Sequence, residues 1–432
     1  MTSPLHRICL ALECLCKRLG APSSREDVLR NRIGPRTLQG RPVVKIQWKG
    51  EEVEAVQGLV AYCVRRPGAT FINPELDADS PVPKSWHVGV MDIGREIEAE
   101  HIEAAAADLG DEVMWTEPVL VDRGALVPND PSFPEQWGLA HINAQRAWDR
   151  WHGNPNSVVL AILDSGISMQ AGRLSHPDLG DPSRFTLGPD LVNHDIEPMD
   201  DHGHGTHIAG VAAATKNNQL GVSGLWPGQV LIMKVFNGVN LEGNTMIFEQ
   251  AVSQAIAFAR QRGARLVINY SGGGDSSNSR LMAVQNALNN NALIVAAVGN
   301  NNPSRIISPA SLSQQFGNVI AVGAVDKSHR RPAFGNRGPQ MTVVAPGVDI
   351  FSTLPNYTVR LNSEGKQTKF DVLSGTSQAT ALVSALAALV WSQSPNLTAD
   401  QVRARIVSTA TRIPGSTNDF GSGLINAEAA LS

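Results

Sequence analysis

The sequence predicts an α/β protein, a doubly wound and mostly parallel sheet preceded by a small α+β domain. Three observations carry this. Residues Val158 to Leu163 are six apolar residues without a polar break, the pattern of a strand buried on both faces. Beyond them, short apolar runs alternate with helical stretches, as βαβ winding requires. Residues 1–125 read differently, and all four cysteines (Cys9, Cys14, Cys16 and Cys63) lie there. A chain of 432 residues fits two domains, placed here at 1–125 and 126–432.

In the first part, Leu5, Ile8, Leu12, Leu15 and Leu19 have the spacing of an amphipathic helix, within helical signals spanning residues 4–33. Strands are expected at 43–48, 59–64, 86–93 and 113–121, with a helix at 95–109. Glu13, Lys17 and Arg18 break the apolar run near the N-terminus, so it reads poorly as a secretory signal. A cytoplasmic protein is expected, with secretion as the alternative. Cys14 and Cys16 complete no zinc spacing. No apolar run approaches the roughly 18 residues of a membrane span. With 36 basic and 40 acidic residues, the chain has no basic footprint for nucleic acid.

In the second part, strands are expected at 158–163, 230–235, 265–269, 292–298 and 318–325. Helices are expected at 204–214, 245–262, 279–290, 377–393 and 398–409. Chemistry concentrates at three of these boundaries. Ser374-Gly375-Thr376-Ser377 runs straight into an apolar helix, so Ser377 meets free N–H groups and the positive end of the helix dipole. A serine so placed can attack a carbonyl, and its own N–H can hold the oxyanion. Asp164 ends the first buried strand, where such sheets gather their chemistry. His204 opens the small-residue helix that follows Asp200-Asp201-His202-Gly203, and histidine is the natural proton shuttle near neutral pH. A metal-dependent hydrolase is the competing reading, because His202, His204 and His207 form an H-x-H-x-x-H pattern. It leaves Asp164 and Ser377 unused.

The order Asp164, His204, Ser377 resembles that of the subtilisin-like serine proteases (subtilases), closest in pattern to the thermitase type. Asp164-Ser165-Gly166, His204-Gly205-Thr206-His207-Ile208-Ala209-Gly210 and Gly375-Thr376-Ser377-Gln378-Ala379 carry the resemblance, which covers residues 128–432. It implies a serine endopeptidase acting through an acyl-enzyme, with Asn300, in Ala297-Val298-Gly299-Asn300, as oxyanion donor. It also implies a polypeptide substrate bound as an extended strand along Ser271, Gly272 and Gly273. Ala297, Val298 and Gly299 would form the opposite wall of the primary pocket and Ile307 its floor, which suits a small or apolar side chain.

The segment Trp115-Thr116-Glu117-Pro118 resembles the end of subtilase propeptides. The resemblance implies an N-terminal domain that inhibits its own protease and is released by self-cleavage near residues 121–128. A permanent regulatory domain is the alternative. The same resemblance implies one structural calcium ion held by Asp130, Asp178 and Asn218 and by the carbonyls of Thr215, Leu220 and Val222, an oxygen-only set. Two residues depart from the family pattern. Gln378 stands where methionine is usual, and Ala381 where proline is usual.

Overall fold

The structure, a computed structural model, describes residues 127–301 and 305–432 in full. Before residue 127 it describes only the backbone of four strands. The expected helices at 4–33 and 95–109, the four cysteine side chains and the junction at 121–126 lie outside the described residues. The chain divides into two compact units, residues 1–124 and 125–432.

In the first unit, β1 (Val43–Trp48), β2 (Glu51–Arg65), β3 (Trp86–Asp92) and β4 (Val113–Leu120) form one antiparallel sheet. The long strand β2 pairs with each of the other three.

The second unit is built on seven parallel strands: β5 (Val158–Asp164), β6 (Phe185–Asp190), β7 (Gln229–Lys234), β8 (Arg265–Tyr270), β9 (Leu293–Ala297), β10 (Val319–Val325) and β11 (Val343–Pro346). Their spatial order is β11-β10-β9-β8-β5-β7-β6. Winding therefore runs outward from β5 in both directions. The C-terminal end of β5 is the switch point where a crevice opens.

Helices cover both faces. α1 (His204–Ala213) and α4 (Thr376–Gln393) pack on one, α2 (Thr245–Gln261) and α3 (Asn278–Asn289) on the other, and α5 (Ala399–Ser408) packs against α4. The helix α4 is buried from Thr376 to Ser392, which explains why it is apolar all round rather than along one stripe. β5, β9 and β10 are buried at every residue, the continuous apolar reading that betrayed them in the sequence. Ser277 and Thr398 cap α3 and α5 with their side chains. The edge strands β6 and β11, and the hairpin of β12 (Ile350–Thr353) with β13 (Phe370–Leu373), went unread in the sequence.

Candidate active site

Asp164, the last residue of β5, is entirely buried. Its Oδ1 accepts from the Ser165 N–H at 2.8 Å. His204 is the first residue of α1, and its Nδ1 lies 2.7 Å from the same Oδ1. The carboxylate can only accept, so Nδ1 carries the proton and Nε2 is left with its lone pair free.

Glycine permits this approach. An added Cβ at Gly205 would lie 2.3 Å from the Gly166 carbonyl, so only glycine lets α1 close on the end of β5. Gly203, with φ 107°, turns the chain into the helix.

Asp200 fixes that turn, and the sequence reading missed it. Its Oδ1 accepts from the His202 and Gly203 N–H groups at 3.1 and 2.7 Å. Its Oδ2 accepts from the Thr206 N–H and hydroxyl at 2.8 and 2.6 Å. Ser165 ties this network to the end of β5: its hydroxyl donates to Asp200 Oδ1 and accepts from the Gly205 N–H, both at 2.8 Å. The signal was available, an aspartate just ahead of a helix start.

Two opposing effects act on His204. Burial alone would push the imidazole pKa down, but the charge and hydrogen bond of Asp164, with Asp200 behind, lift it above the ordinary 6.5.

Ser377, the second residue of α4, lines the same cavity as His204 and Asn300, a cleft of about 420 Å³. Its hydroxyl donates to the Ser271 carbonyl at 3.2 Å rather than to His204. Sequence reasoning placed the two groups within reach of each other. The structure brings them to one cavity with the hydroxyl turned toward the Ser271 backbone, a looser arrangement common before substrate enters.

Asn300 follows β9. Its Oδ1 accepts from the Thr376 N–H at 2.9 Å and from the Thr376 hydroxyl at 3.0 Å. This fixes the amide so that Nδ2 is the end left to donate, beside Gly375 and the start of α4. Thr376 is the second residue that the sequence reading missed.

Ser271, Gly272, Gly273, Ala297 and Gly299 line the cleft. Val298 does not: it is wholly buried, and its carbonyl holds the Ile307 N–H at 3.2 Å. The Ile307 side chain fills the space between the walls. A Cβ at Gly273 would lie 2.7 Å from its Cδ1, and one at Gly299 3.1 Å.

The three histidines do not converge. His204 faces Asp164, whereas Nε2 of His207 faces the Ile350 and Asp371 carbonyls at 3.0 and 3.3 Å. Burial pushes the His207 pKa down to about 3, so it stays neutral. The departure residue Gln378 is buried and packs its amide 3.4 Å from His207 Nδ1. No three His, Cys, Asp or Glu side chains group as metal ligands among the described residues.

The segments expected to hold calcium do meet. Asp178 accepts from the Asn218 amide at 2.8 Å and the Val222 N–H at 2.7 Å. Asp130 accepts from the Asn217 and Asn218 N–H groups and the Ser223 hydroxyl. The Thr215 N–H donates to the Asp178 carbonyl, and the Leu220 N–H to Asn218 Oδ1. Asn218 presents its NH₂ to Asp178 and spends its oxygen on Leu220, because an unneutralised carboxylate draws donors.

The residues nevertheless fit a hard cation. Asp178 is fully buried, and burial, with the Asp130 carboxylate adding to it, raises its pKa to about 6. No basic side chain forms an ion pair with either carboxylate among the described residues.

A buried carboxylate–imidazole pair, a helix-start serine and an anchored amide donor around one cleft are the parts of a serine hydrolase. Comparison with known proteins narrows the class. Residues 155–423 match a model of the subtilase family. The chain is 35% identical over 393 residues to a thermophilic serine proteinase of Bacillus sp. (strain AK1), covering 90% of this chain and 86% of that one. It is 34% identical over 357 residues to a thermostable alkaline protease of Halalkalibacterium halodurans, covering 82% and 89%. It is 36% identical over 307 residues to thermitase of Thermoactinomyces vulgaris, covering 70% and 99%. The chain belongs to the subtilase family and is a serine endopeptidase.

Proposed function

We propose that peptide bonds are hydrolysed through Asp164, His204 and Ser377. The observation that carries the reading is the 2.7 Å contact of His204 Nδ1 with Asp164 Oδ1, in the cleft that also holds Ser377. An extended peptide pairs with the Ser271–Gly274 backbone. Rotation of the Ser377 side chain brings its hydroxyl to His204 Nε2, which takes the proton as Oγ attacks the carbonyl carbon. Asp164 holds the imidazole in the correct tautomer and stabilises the imidazolium. Asn300 Nδ2 and the Ser377 N–H donate to the oxyanion. His204 then protonates the leaving amine, and water, activated by the same imidazole, resolves the acyl-enzyme.

The space over Ile307, apolar and bordered by Gly273 and Gly299, suits a small or apolar side chain. Calcium, when bound, would supply counter-charge to Asp130 and Asp178, with the Asn218 amide turned to offer its oxygen and the carbonyls of Thr215, Leu220 and Val222 completing the set. Self-cleavage near residues 121–128, and inhibition by the N-terminal domain beforehand, belong to the same proposal. The experiment is hydrolysis of a fluorogenic peptide by wild type and Ser377→Ala, with intact mass of both. Wild type is expected to be active and shortened to a start near residues 121–128, and Ser377→Ala inactive and full length. Equal activity of the two overturns the triad. A full-length, fully active wild type overturns the processing.

A further inference from the structure

The backbone that receives the peptide has two faces, and the pocket at Ile307 uses one of them. Successive residues of a strand point to opposite faces. Along Ser271–Gly274 the alternation is visible in what a Cβ would meet. At Gly273 it meets Ile307, at Gly272 it meets Phe236 at 2.3 Å, and at Gly274 it lies 3.1 Å from the Arg280 Nη1.

Arg280, on the first turn of α3, is 6% exposed yet lines the cleft. Nη1 donates to the Asp275 carbonyl, and the guanidinium interacts with the buried Tyr270. Its Nε has no hydrogen-bond partner, and no carboxylate pairs with it among the described residues. The nearby Asp275 carboxylate is spent on Arg305 at 2.8 Å, and the exposed Glu242, which also borders the cleft, forms no ion pair with Arg280. A buried cation without counter-charge is costly, and the N-terminal end of a helix disfavours it further. A partner from outside the chain would remove that cost.

We propose that Arg280 is a specificity residue that reads a substrate carboxylate, an aspartate or glutamate at P4, three residues before the one whose carbonyl is attacked. This rests on the proteolytic reading above. Ser377 Oγ lies 3.2 Å from the Ser271 carbonyl, so the attacked residue sits level with Ser271. A peptide pairing antiparallel with Ser271–Gly274 then sets P2, P3 and P4 level with Gly272, Gly273 and Gly274. P1 and P3 share the Ile307 face, and P2 and P4 share the face of Phe236 and Arg280. Gly274 puts no side chain between P4 and the guanidinium, whose planar fork of donors matches a carboxylate.

The test uses fluorogenic peptides identical except for Glu, Gln or Ala at P4, and a second set varied at P3, assayed at pH 8. Wild type is expected to use Glu over Gln at P4 by about tenfold in kcat/KM, the scale of one charge-assisted pair. Arg280→Met is expected to bring that ratio to one or below, and Arg280→Lys to keep part of it. Fluorophosphonate labelling of each variant reports that the site has folded. Equal use of Glu and Gln at P4 by wild type, the same Glu preference at P3, or an unchanged ratio in Arg280→Met overturns the assignment of Arg280 alone. Cleavage of none of the peptides overturns this assignment and the proteolytic reading together.

Discussion

Asp164 and Asp178 are both fully buried carboxylates in the same unit, and the fold balances them differently. Asp164 meets an imidazole that can become a cation, at 2.7 Å. Among the described residues, Asp178 meets only N–H donors and the field of a second carboxylate, Asp130. A buried charge with an internal partner of opposite sign forms a self-contained site. A buried charge met by dipoles alone is one whose counter-charge an outside ion would supply. Arg280 is the cationic counterpart of Asp178, and the same reasoning assigns it an outside carboxylate.

The largest expected effect separates the chemistry at Asp164 from the support at Asp178. Ser377→Ala should lower kcat by on the order of 10⁶-fold, the scale of this change in a subtilisin. Its unfolding temperature should stay close to that of wild type, checked by steady-state rates and calorimetry. Asn300→Ala should cost about 10² to 10³ in kcat with little change in KM, since the amide meets charge only as the oxyanion forms.

Chelation sharpens the other side. Asp178 has its pKa raised in the fold, from 3.8 to about 6. A raised carboxylate contributes stability below its unfolded pKa, and that contribution is lost as pH climbs through the folded value. A bound cation opposes the loss. A calcium chelator should therefore lower the melting temperature more at pH 8 than at pH 4.5, measured by differential scanning fluorimetry. Equal shifts at both pH values would detach Asp178 from the cation.

The smallest effect tests the second carboxylate behind His204. Asp200 helps to raise the His204 pKa, which lies above 6.5. With His204 as the proposed base, activity needs its neutral form, so the acid limb of kcat/KM should lie above pH 6.5. In Asp200→Asn the limb should move to lower pH, because a positive imidazolium loses a negative neighbour. A limb that stays put would confine Asp200 to shaping the turn.

The central strands were legible because burial on both faces leaves an unbroken apolar run, as at Val158–Leu163, and the candidate site because polar residues stand where such runs stop. β6 was not, because Thr186 to Pro189 are only partly buried at the sheet edge and mix polar with apolar residues. Asp200 and Thr376 were missed because their work is done through hydrogen bonds to residues brought near by folding, Ser165 and Asn300. Arg280 was hidden for another reason: on a helix start an arginine reads as solvated, and only the glycines opposite reveal that it is enclosed. Val298 was assigned to the pocket wall because its neighbours are there, whereas alternation along the chain turns it inward.

The most direct measurement of the central claim is fluorophosphonate labelling as a function of pH, with the modified residue mapped by mass spectrometry. One adduct on Ser377 is expected, absent in Ser377→Ala, and forming more slowly as His204 gains its proton below its raised pKa. An adduct on another residue, or labelling of Ser377 at a rate unaffected by His204→Ala, would contradict the convergence of Asp164, His204 and Ser377 on one reaction.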